Sequence, residues 1–325
     1  MVKLIDVASG AHVVAAGPLH RSTLAWALAD GRVILSSPDI AELRVHERGL
    51  LSAAFSPTAD ALYTGGDDGK VMRTGNDGAA NLVHEEPRKW IDRLVAGPDG
   101  ALAIALGREA VLVRGNDPVR RFSHQRSVNA LAFAPKGFRL ATAYAGGVSL
   151  HWAARTVDPV QLTWEGPHIE ATFSPDGRFL ITAMQDNQLH GWRMADSQDL
   201  RMAGYKMKPR SLAWSWKGAW LATSGATSAV LWPFKSKDGP MGQQPRLLGQ
   251  REVFVKQVSC HPKEDIVAAG YADGMVLITR IEDGEEVLIR APDGDPISAL
   301  GFSKDGNRLA MGTEGGTASF ADLVD

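Results

Sequence analysis

One stretch of twenty residues constrains what this chain can fold into, because the rest of the sequence repeats it. Phe173–Trp192, FSPDGRFLITAMQDNQLHGW, reads as the end of an apolar strand, then a turn at Ser174-Pro175-Asp176-Gly177. A second strand follows over Phe179–Met184, a tight turn over Gln185–Asn187, and a third strand that ends on Trp192. With Leu180 as marker, equivalents fall at Leu24, Leu62, Leu102, Leu140, Leu221, Val267 and Leu309, at separations of roughly 38–46 residues. A fixed period of this size implies small supersecondary units packed side by side, none able to bury its own apolar faces alone.

The register within each unit is nearly free of gaps. Twelve residues after Leu140 stands Trp152, and twelve after Leu180 stands Trp192; in the sixth unit Trp232 follows Leu221 by eleven. The same offset gives Ser36, Thr74, Arg114, Thr279 and Ala321. Between the second and third strands sit Ala29-Asp30-Gly31, Asp67-Asp68-Gly69, Ala272-Asp273-Gly274 and Glu314-Gly315-Gly316. Asp-Gly and Gly-Gly permit the positive φ values that tight hairpins require. Between the first and second strands sit Gly97-Pro98-Asp99-Gly100, Ser174-Pro175-Asp176-Gly177 and Ser303-Lys304-Asp305-Gly306. Short apolar segments such as Ser52–Phe55, Ala130–Phe133 and Ser298–Phe302 read as buried inner strands.

A period near 40–45 residues suits the blades of a β-propeller. The predicted fold is all-β: a single closed propeller over residues 1–325, built of four-stranded antiparallel blades. Eight hairpins align, so eight blades are preferred; seven, the runner-up, would need one unit to be expelled or fused. The last unit ends near Asp322 with no fourth strand after it, and Val2–Val7, VKLIDV, has nowhere else to pair. That N-terminal strand is predicted to complete the C-terminal blade and so to remove open sheet edges.

At these residues the units resemble the repeats of WD-repeat (WD40) β-propellers, over essentially the whole chain. The family pattern places a His nine residues before the inner-strand aromatic, as His46 stands to Phe55 and His124 to Phe133. It continues with Ser-Pro-Asp-Gly, a Ser or Thr in the second strand (Thr64, Thr142, Thr182, Thr223), an Asp in the next turn and a Trp ending the third strand. The resemblance implies an Asp–His–Ser/Thr–Trp hydrogen-bond network inside each blade. No unit here holds the full set. The second has Thr74 where Trp belongs, the fourth has Ala145-Gly146 where Asp belongs, and in the fifth His168 is out of register. No Trp-Asp dipeptide occurs, which marks a divergent member.

Composition narrows function mainly by exclusion. The 325 residues are 44% hydrophobic and 22% charged with a formal net charge of -2, so nothing in the bulk charge draws the chain to nucleic acid or anionic lipid. A single cysteine, Cys260, rules out an internal disulfide and fits a reducing compartment. No apolar run approaches the ~18 residues of a membrane span, and the N-terminus lacks the apolar core of a secretory signal. The expected address is the cytoplasm.

Catalytic signatures are absent from the sequence. There is no Gly-x-Ser-x-Gly, no His-Glu-x-x-His and no Gly-x-x-x-x-Gly-Lys-Ser/Thr. Cys260 and His261 are strand neighbours that point to opposite faces, and Cys260 occupies the core place of Phe173, so it reads as a small buried hydrophobe. His151 and His190 lie in third strands one register apart, which gives no zinc spacing. Inner strands Val13–Ala16, Ser52–Phe55, Ala130–Phe133 and Ala171–Phe173 read as apolar or small, which argues against an active site in the channel. No cofactor and no metal are expected.

The candidate binding residues are in the connections that enter the inner strands: Arg48, Arg88, Lys89, Arg126, Lys208, Arg210 and Arg251, with Trp90 and Tyr205 as nearby aromatics. Together they suggest a basic rim for a protein or peptide segment of acidic character. Glu47, Glu85, Glu86, Glu252 and Asp295 share these loops and could neutralise it. Trp216 falls in a turn where a large apolar body would be exposed, as at binding hot spots, or pack between blades. The Pro- and Gly-rich stretch from Pro233 to Leu247 reads as an inserted loop, either a tolerated surface insertion or a protruding partner contact. The expected function is a non-enzymatic protein-interaction scaffold. Two alternatives stay open: a propeller enzyme or small-ligand or metal binder using the central channel, and a nucleic-acid-associated propeller using the basic rim.

Overall fold

Short turns force consecutive strands to pair antiparallel, and the structure is built that way throughout. The computed structural model describes residues 3–36 and 40–324. In the second repeat unit the inner strand Leu50–Phe55 pairs with Ala61–Gly66, that strand with Lys70–Gly75, and that with the outer strand Ala80–Glu85. Second strands such as Leu24–Leu28, Ala61–Gly66 and Phe179–Met184 are buried along their whole length. Each sheet is covered on both faces by its neighbours, which is why these strands read as continuous apolar runs rather than alternating ones.

The inner strands follow one another around a ring. Val13–Pro18 lies against Leu50–Phe55, which lies against Leu94–Ala96, then Val128–Phe133, then the long strand Val160–Phe173. Trp214 of the next inner strand donates its indole N–H to Thr172 Oγ1 at 3.1 Å. Leu212–Trp214 then lies against Val255–Cys260, which meets Ile297–Phe302, and that strand returns to Val13–Pro18. The closing strand runs Leu4–Ala8; Val2 lies outside the described residues. It pairs antiparallel with Ala318–Asp322, with Leu4 opposite Ala321 and Ile5 opposite Phe320.

The expected count of eight separate four-stranded sheets is not borne out. The strands group into seven hydrogen-bonded sheets, six of four strands and one of six. The difference is a fusion of the fourth and fifth repeat units. Arg139–Trp152 is one continuous extended run that folds back on itself at Gly146 and Gly147 (φ +109° and +144°), so Thr142 Oγ1 reaches Ser149 O at 3.2 Å. Val160–Phe173 then passes without interruption from the outer edge of the fourth unit to the inner position of the fifth.

A recurrent device holds neighbouring units together. The register between inner and second strand slips at one equivalent place in six units: after Val13, Leu50, Val128, His168, Val255 and Ile297. Such a bulge adds one residue and re-aims the side chains beside it. Three residues after each marker stands a small residue: Ala27, Gly65, Ala105, Ala143, Ala183, Ser224, Gly270 and Gly312. At five of them a branched side chain of the next unit fills the space left. Leu50 packs with Ala27 and Val128 with Ala105. At Gly65, Gly270 and Gly312 a Cβ would stand 2.4, 2.5 and 2.3 Å from Ile91, Ile297 and Val13. The last of these joins the eighth unit to the first, and Trp26 Nε1 donates to Met311 O across the same boundary at 3.0 Å.

Gly312→Ala is therefore expected to lower stability by about 1–3 kcal/mol through overpacking. Val13→Ala alone leaves a cavity, and the double variant should cost less than the sum of the two. Denaturant midpoints of the four proteins measure the coupling; strict additivity would show that the two residues do not share a seam.

Candidate partner-binding face

In a four-stranded meander, the turn between strands two and three and the exit from the outer strand lie at the same end of the sheet. That end carries the loops entering the inner strands. The rigidity of the face depends on what ties the loops to the sheets below. In the second unit His46 does this. Its Nδ1 lies 3.1 Å from both Asp68 oxygens, and its Nε2 lies 2.9 Å from Thr64 Oγ1. Thr74, at the place of the family's Trp, is buried with its hydroxyl unpaired among the described residues.

Two other units reach the same end by different residues. His168, out of register by sequence count, is fully buried, with Nδ1 2.7 Å from Thr182 Oγ1 and Nε2 3.2 Å from Trp164 O. It sits at the bulge, and the slipped register brings it to the threonine. In the sixth unit Tyr205 replaces the histidine: its hydroxyl lies 2.6 Å from Thr223 Oγ1 and accepts from Trp232 Nε1 at 2.7 Å. Tyr205 is thus buried inside the sheet rather than placed on the rim, and burial pushes its phenol well above the usual range.

The remaining expected rim residues are at this end. Arg48, Arg88, Lys89, Arg126 and Arg210 are exposed, Lys208 is half-buried, and Trp90 is 70% exposed. Trp216 is not with them. It lies in the turn between inner and second strand, at the opposite end of the sheet, 44% exposed with Lys217 Nζ 4.7 Å above its ring. Arg251 is tied down, donating to Glu286 at 2.5 Å and to Gln250 O at 2.7 Å.

The rim acids have other partners. Glu86 accepts from Arg121 at 2.6 Å and lies 2.7 Å from His84 Nε2. Burial opposes its ionisation, but these two hydrogen bonds outweigh burial and hold it below the usual carboxylate range. Asp295 accepts from Gly315 N at 2.7 Å. Arg48, Arg88, Lys89, Arg126, Lys206, Lys208 and Arg210 have no carboxylate partner among the described residues.

The cations concentrate in a cavity of about 400 Å³ where the fifth, sixth and seventh units meet. Lys206, Lys208, Arg210 and Lys256 line it with Met207, Phe254 and Val255, and no carboxylate does. Lys256 is the extra residue of a bulge, and its ammonium is 2.9 Å from Glu314. Arg210 also borders a second space of about 660 Å³ toward the channel, lined by Asp92, Arg93, Asn129 and Gln185. There Arg93 donates to Glu170 at 3.1 Å, across inner strands far apart in sequence. Burial raises Glu170 above the usual carboxylate range despite Arg93 and Arg210.

The channel mouth is therefore more polar than the inner strands suggest. Sequence reading started the fifth inner strand at Ala171, one residue after Glu170, and missed Lys206, Lys256 and Arg93. The bulge position finds Lys256 and the residue just before the inner strand finds Arg93, while Lys206 lies farther back in its connection and no such signal marks it. Among the described residues no three His, Cys, Asp or Glu side chains stand together as metal ligands. The Cys260 thiol, pushed up to about 12 by burial and then by Asp265, points at Ala213 O. The inserted loop is anchored at its start, while 241–244 are exposed. Phe234 is fully buried against Phe179 and Trp214, and Arg178 donates to Phe234 O and Ser236 O.

Fold and internal hydrogen-bond sets together define a β-propeller whose loop face is tied to the sheets below it. The model for "WD domain, G-beta repeat" matches residues 38–72, a span that starts before the outer strand Ala41–Arg44 of the first unit and includes His46, Thr64 and Asp68 of the second. Over its whole length the chain matches the C-terminal WD40 domain of Sif2, with a TM-score of 0.79 at 16% identity and 100% of both chains covered. A computationally designed protein, Ika8, matches with a TM-score of 0.77 at 16% identity, over 99% of this chain and 100% of that one. These two likenesses concern the fold alone. In sequence the chain is similar to Protein HIR1 of Yarrowia lipolytica, 25% identical over 205 residues, covering 58% of this chain and 18% of the relative. It is also similar to a chromatin assembly factor 1 subunit FAS2 homolog of Oryza sativa subsp. japonica, 30% identical over 110 residues, covering 31% and 22%. The aligned segments thus span about a fifth of the length of these curated relatives. The chain is a β-propeller that carries a WD-type repeat at residues 38–72.

Two measurements test the internal sets. Tyr205→Phe keeps the ring but strands Thr223 and the Trp232 N–H, and should cost about 1–3 kcal/mol without changing the exposed rim. A denaturant midpoint equal to that of the parent would remove Tyr205 from the network. Acid should also weaken the fold. Burial lowers His151 and His190 from 6.5 to about 4, and Asp199 only partly opposes this at His190. The unfolded chain then binds more protons in that window, so stability should fall as pH drops from 6.5 towards 4. His151→Gln with His190→Gln should flatten that part of the pH–stability curve; an unchanged curve would locate the acid sensitivity elsewhere.

Proposed function

We propose that this propeller is a non-enzymatic protein-interaction scaffold that holds an acidic protein or peptide segment on its loop face. One observation carries the reading: the cavity of Lys206, Lys208, Arg210 and Lys256, with apolar walls from Met207 and Phe254 and no lining carboxylate. Apolar walls with charged groups at fixed places suit an amphipathic segment that carries Asp or Glu beside a hydrophobic anchor. Rigid sheets beneath the loops lower the ordering cost of binding. The rice relative is by its name a subunit of an assembly factor, and this chain is read as serving assembly in the same general sense.

The test uses a labelled peptide of alternating Glu and Leu at low and moderate salt. The parent protein should bind it with an affinity that falls as salt rises. Lys206→Glu with Lys208→Glu should weaken binding by more than tenfold while leaving the melting midpoint unchanged. Equal binding by parent and variant would overturn the reading. Stronger, steeply salt-dependent binding of duplex DNA or RNA would favour the nucleic-acid alternative instead.

A further inference from the structure

The second and fourth units differ at one place in a way that exposes an unfilled role. In the second unit the turn between strands two and three supplies Asp68, and its carboxylate sits against His46 Nδ1 while Thr64 takes Nε2. The fourth unit has the corresponding histidine and threonine, His124 and Thr142, but its turn is Ala145-Gly146-Gly147 and carries no carboxylate. Thr142 lies 3.2 Å from His151 Nε2 instead. His124 Nε2, the nitrogen that the threonine meets in the second unit, is buried and unpartnered, and Nδ1, the nitrogen that Asp68 meets there, has no hydrogen-bond partner among the described residues either. The Nδ1 side therefore lacks the acceptor that the turn supplies in the second unit, and an added oxygen can complete it.

A cavity of about 330 Å³ opens at this place. Ser123, His124, Gln125, Arg126, Tyr144, Ser149, His151 and Gln161 line it with Pro159, and no carboxylate does. The rings of His124 and His151 meet edge to face with centroids 5.4 Å apart, and Tyr144 packs 5.5 Å from His124. The hydroxyls of Tyr144 and Ser149 both donate to Gln161 Oε1, at 2.8 and 2.9 Å, which orders that wall and leaves the Gln161 amide N–H groups uncommitted. Arg126 is exposed at the mouth. The lining therefore offers cationic and neutral N–H donors around a space without negative charge.

We propose that this cavity binds one oxyanion, a carboxylate or a phosphate, held by His124 and Arg126 in the role that Asp68 plays against His46. The bound oxygens accept from His124 Nδ1–H and from the Arg126 guanidinium, a pair of charge-assisted hydrogen bonds. The cavity then acts as a receptor for a single acidic side chain or a phosphorylated one. This inference stands apart from the scaffold reading, since it involves a different cavity and its test needs no partner.

The experiment follows the histidine ring resonances of the full chain by NMR at neutral pH and constant ionic strength. Inorganic phosphate is added in one arm and acetate in the other. His124→Gln assigns the His124 signal. Saturable shifts of His124 and His151, with the enclosed His46 and the exposed His20 unmoved, are the expected result. Arg126→Ala, a change at an exposed side chain, should weaken the apparent affinity by about tenfold, the loss of one charge-assisted hydrogen bond. Saturation at lower concentration by phosphate assigns the site to phosphorylated ligands, and the reverse order assigns it to carboxylates. Shifts that grow linearly without saturating, shifts no larger at His124 than at His20, or full affinity in Arg126→Ala would each overturn the proposal.

Discussion

The ring depends on the seam between one repeat unit and the next. A sheet whose two faces are both apolar has no stable surface of its own, so each unit must find a neighbour on either side. The seam meets that need with two small means: a bulge that turns a branched side chain sideways, and a Gly or Ala opposite that makes room for it. Val13 against Gly312 and Ile297 against Gly270 show how close the approach is, because even one Cβ would collide. Close-packed interiors gain dispersion energy only where such gaps are filled. The same arrangement recurs at the boundary between the last unit and the first. The closure is therefore an ordinary seam reinforced by the strand Leu4–Ala8.

Inside the units the chain is less uniform, and the variation has a physical order. A buried second-strand threonine needs a partner for its hydroxyl, and that requirement is constant. The partner is His46 in one unit, His168 from the start of a bulge in another, and Tyr205 in a third. Each is a ring that presents one polar atom to the threonine hydroxyl. Burying the threonine without such an atom would cost more than exchanging one partner for another. This explains how the units diverge from the family pattern while keeping their geometry.

Those cases also show what can and cannot be read from sequence. The period, the second strands, both kinds of turn and the pairing of the chain's first strand with its last sheet follow from spacing and apolar content. The number of sheets does not. Whether Tyr144 runs on through Gly147, or Trp164 through His168, depends on backbone angles that glycine leaves free. The fourth and fifth units fused for that reason. Tyr205 looked like a rim aromatic because it stands among lysines, yet its place is decided by Thr223 and Trp232, eighteen and twenty-seven residues away. Phe234 shows the same limit. A Pro- and Gly-rich stretch suggests a free loop, and one aromatic residue docking between Phe179 and Trp214 pins it down.

The bulge also connects stability to recognition. It must hold one residue against the neighbouring unit, and in doing so it ejects the next one towards the channel mouth. The ejected residues include Leu51, Asn129 and Lys256, whereas Ile169, the extra residue of the fifth unit, stays buried in the core. Lys256 borders the basic cavity, and Asn129 and Ile169 border the space toward the channel. Two adjacent positions thus have opposite constraints. The packed residue, Val255 or Val128, must stay branched and apolar to fill the seam. Where the ejected one is exposed or half-buried, as at Leu51, Asn129 and Lys256, it can change in charge or size at small cost to the ring. A repeat built this way can vary what its loop face binds by substitutions at one register position while the seam one residue earlier stays closed.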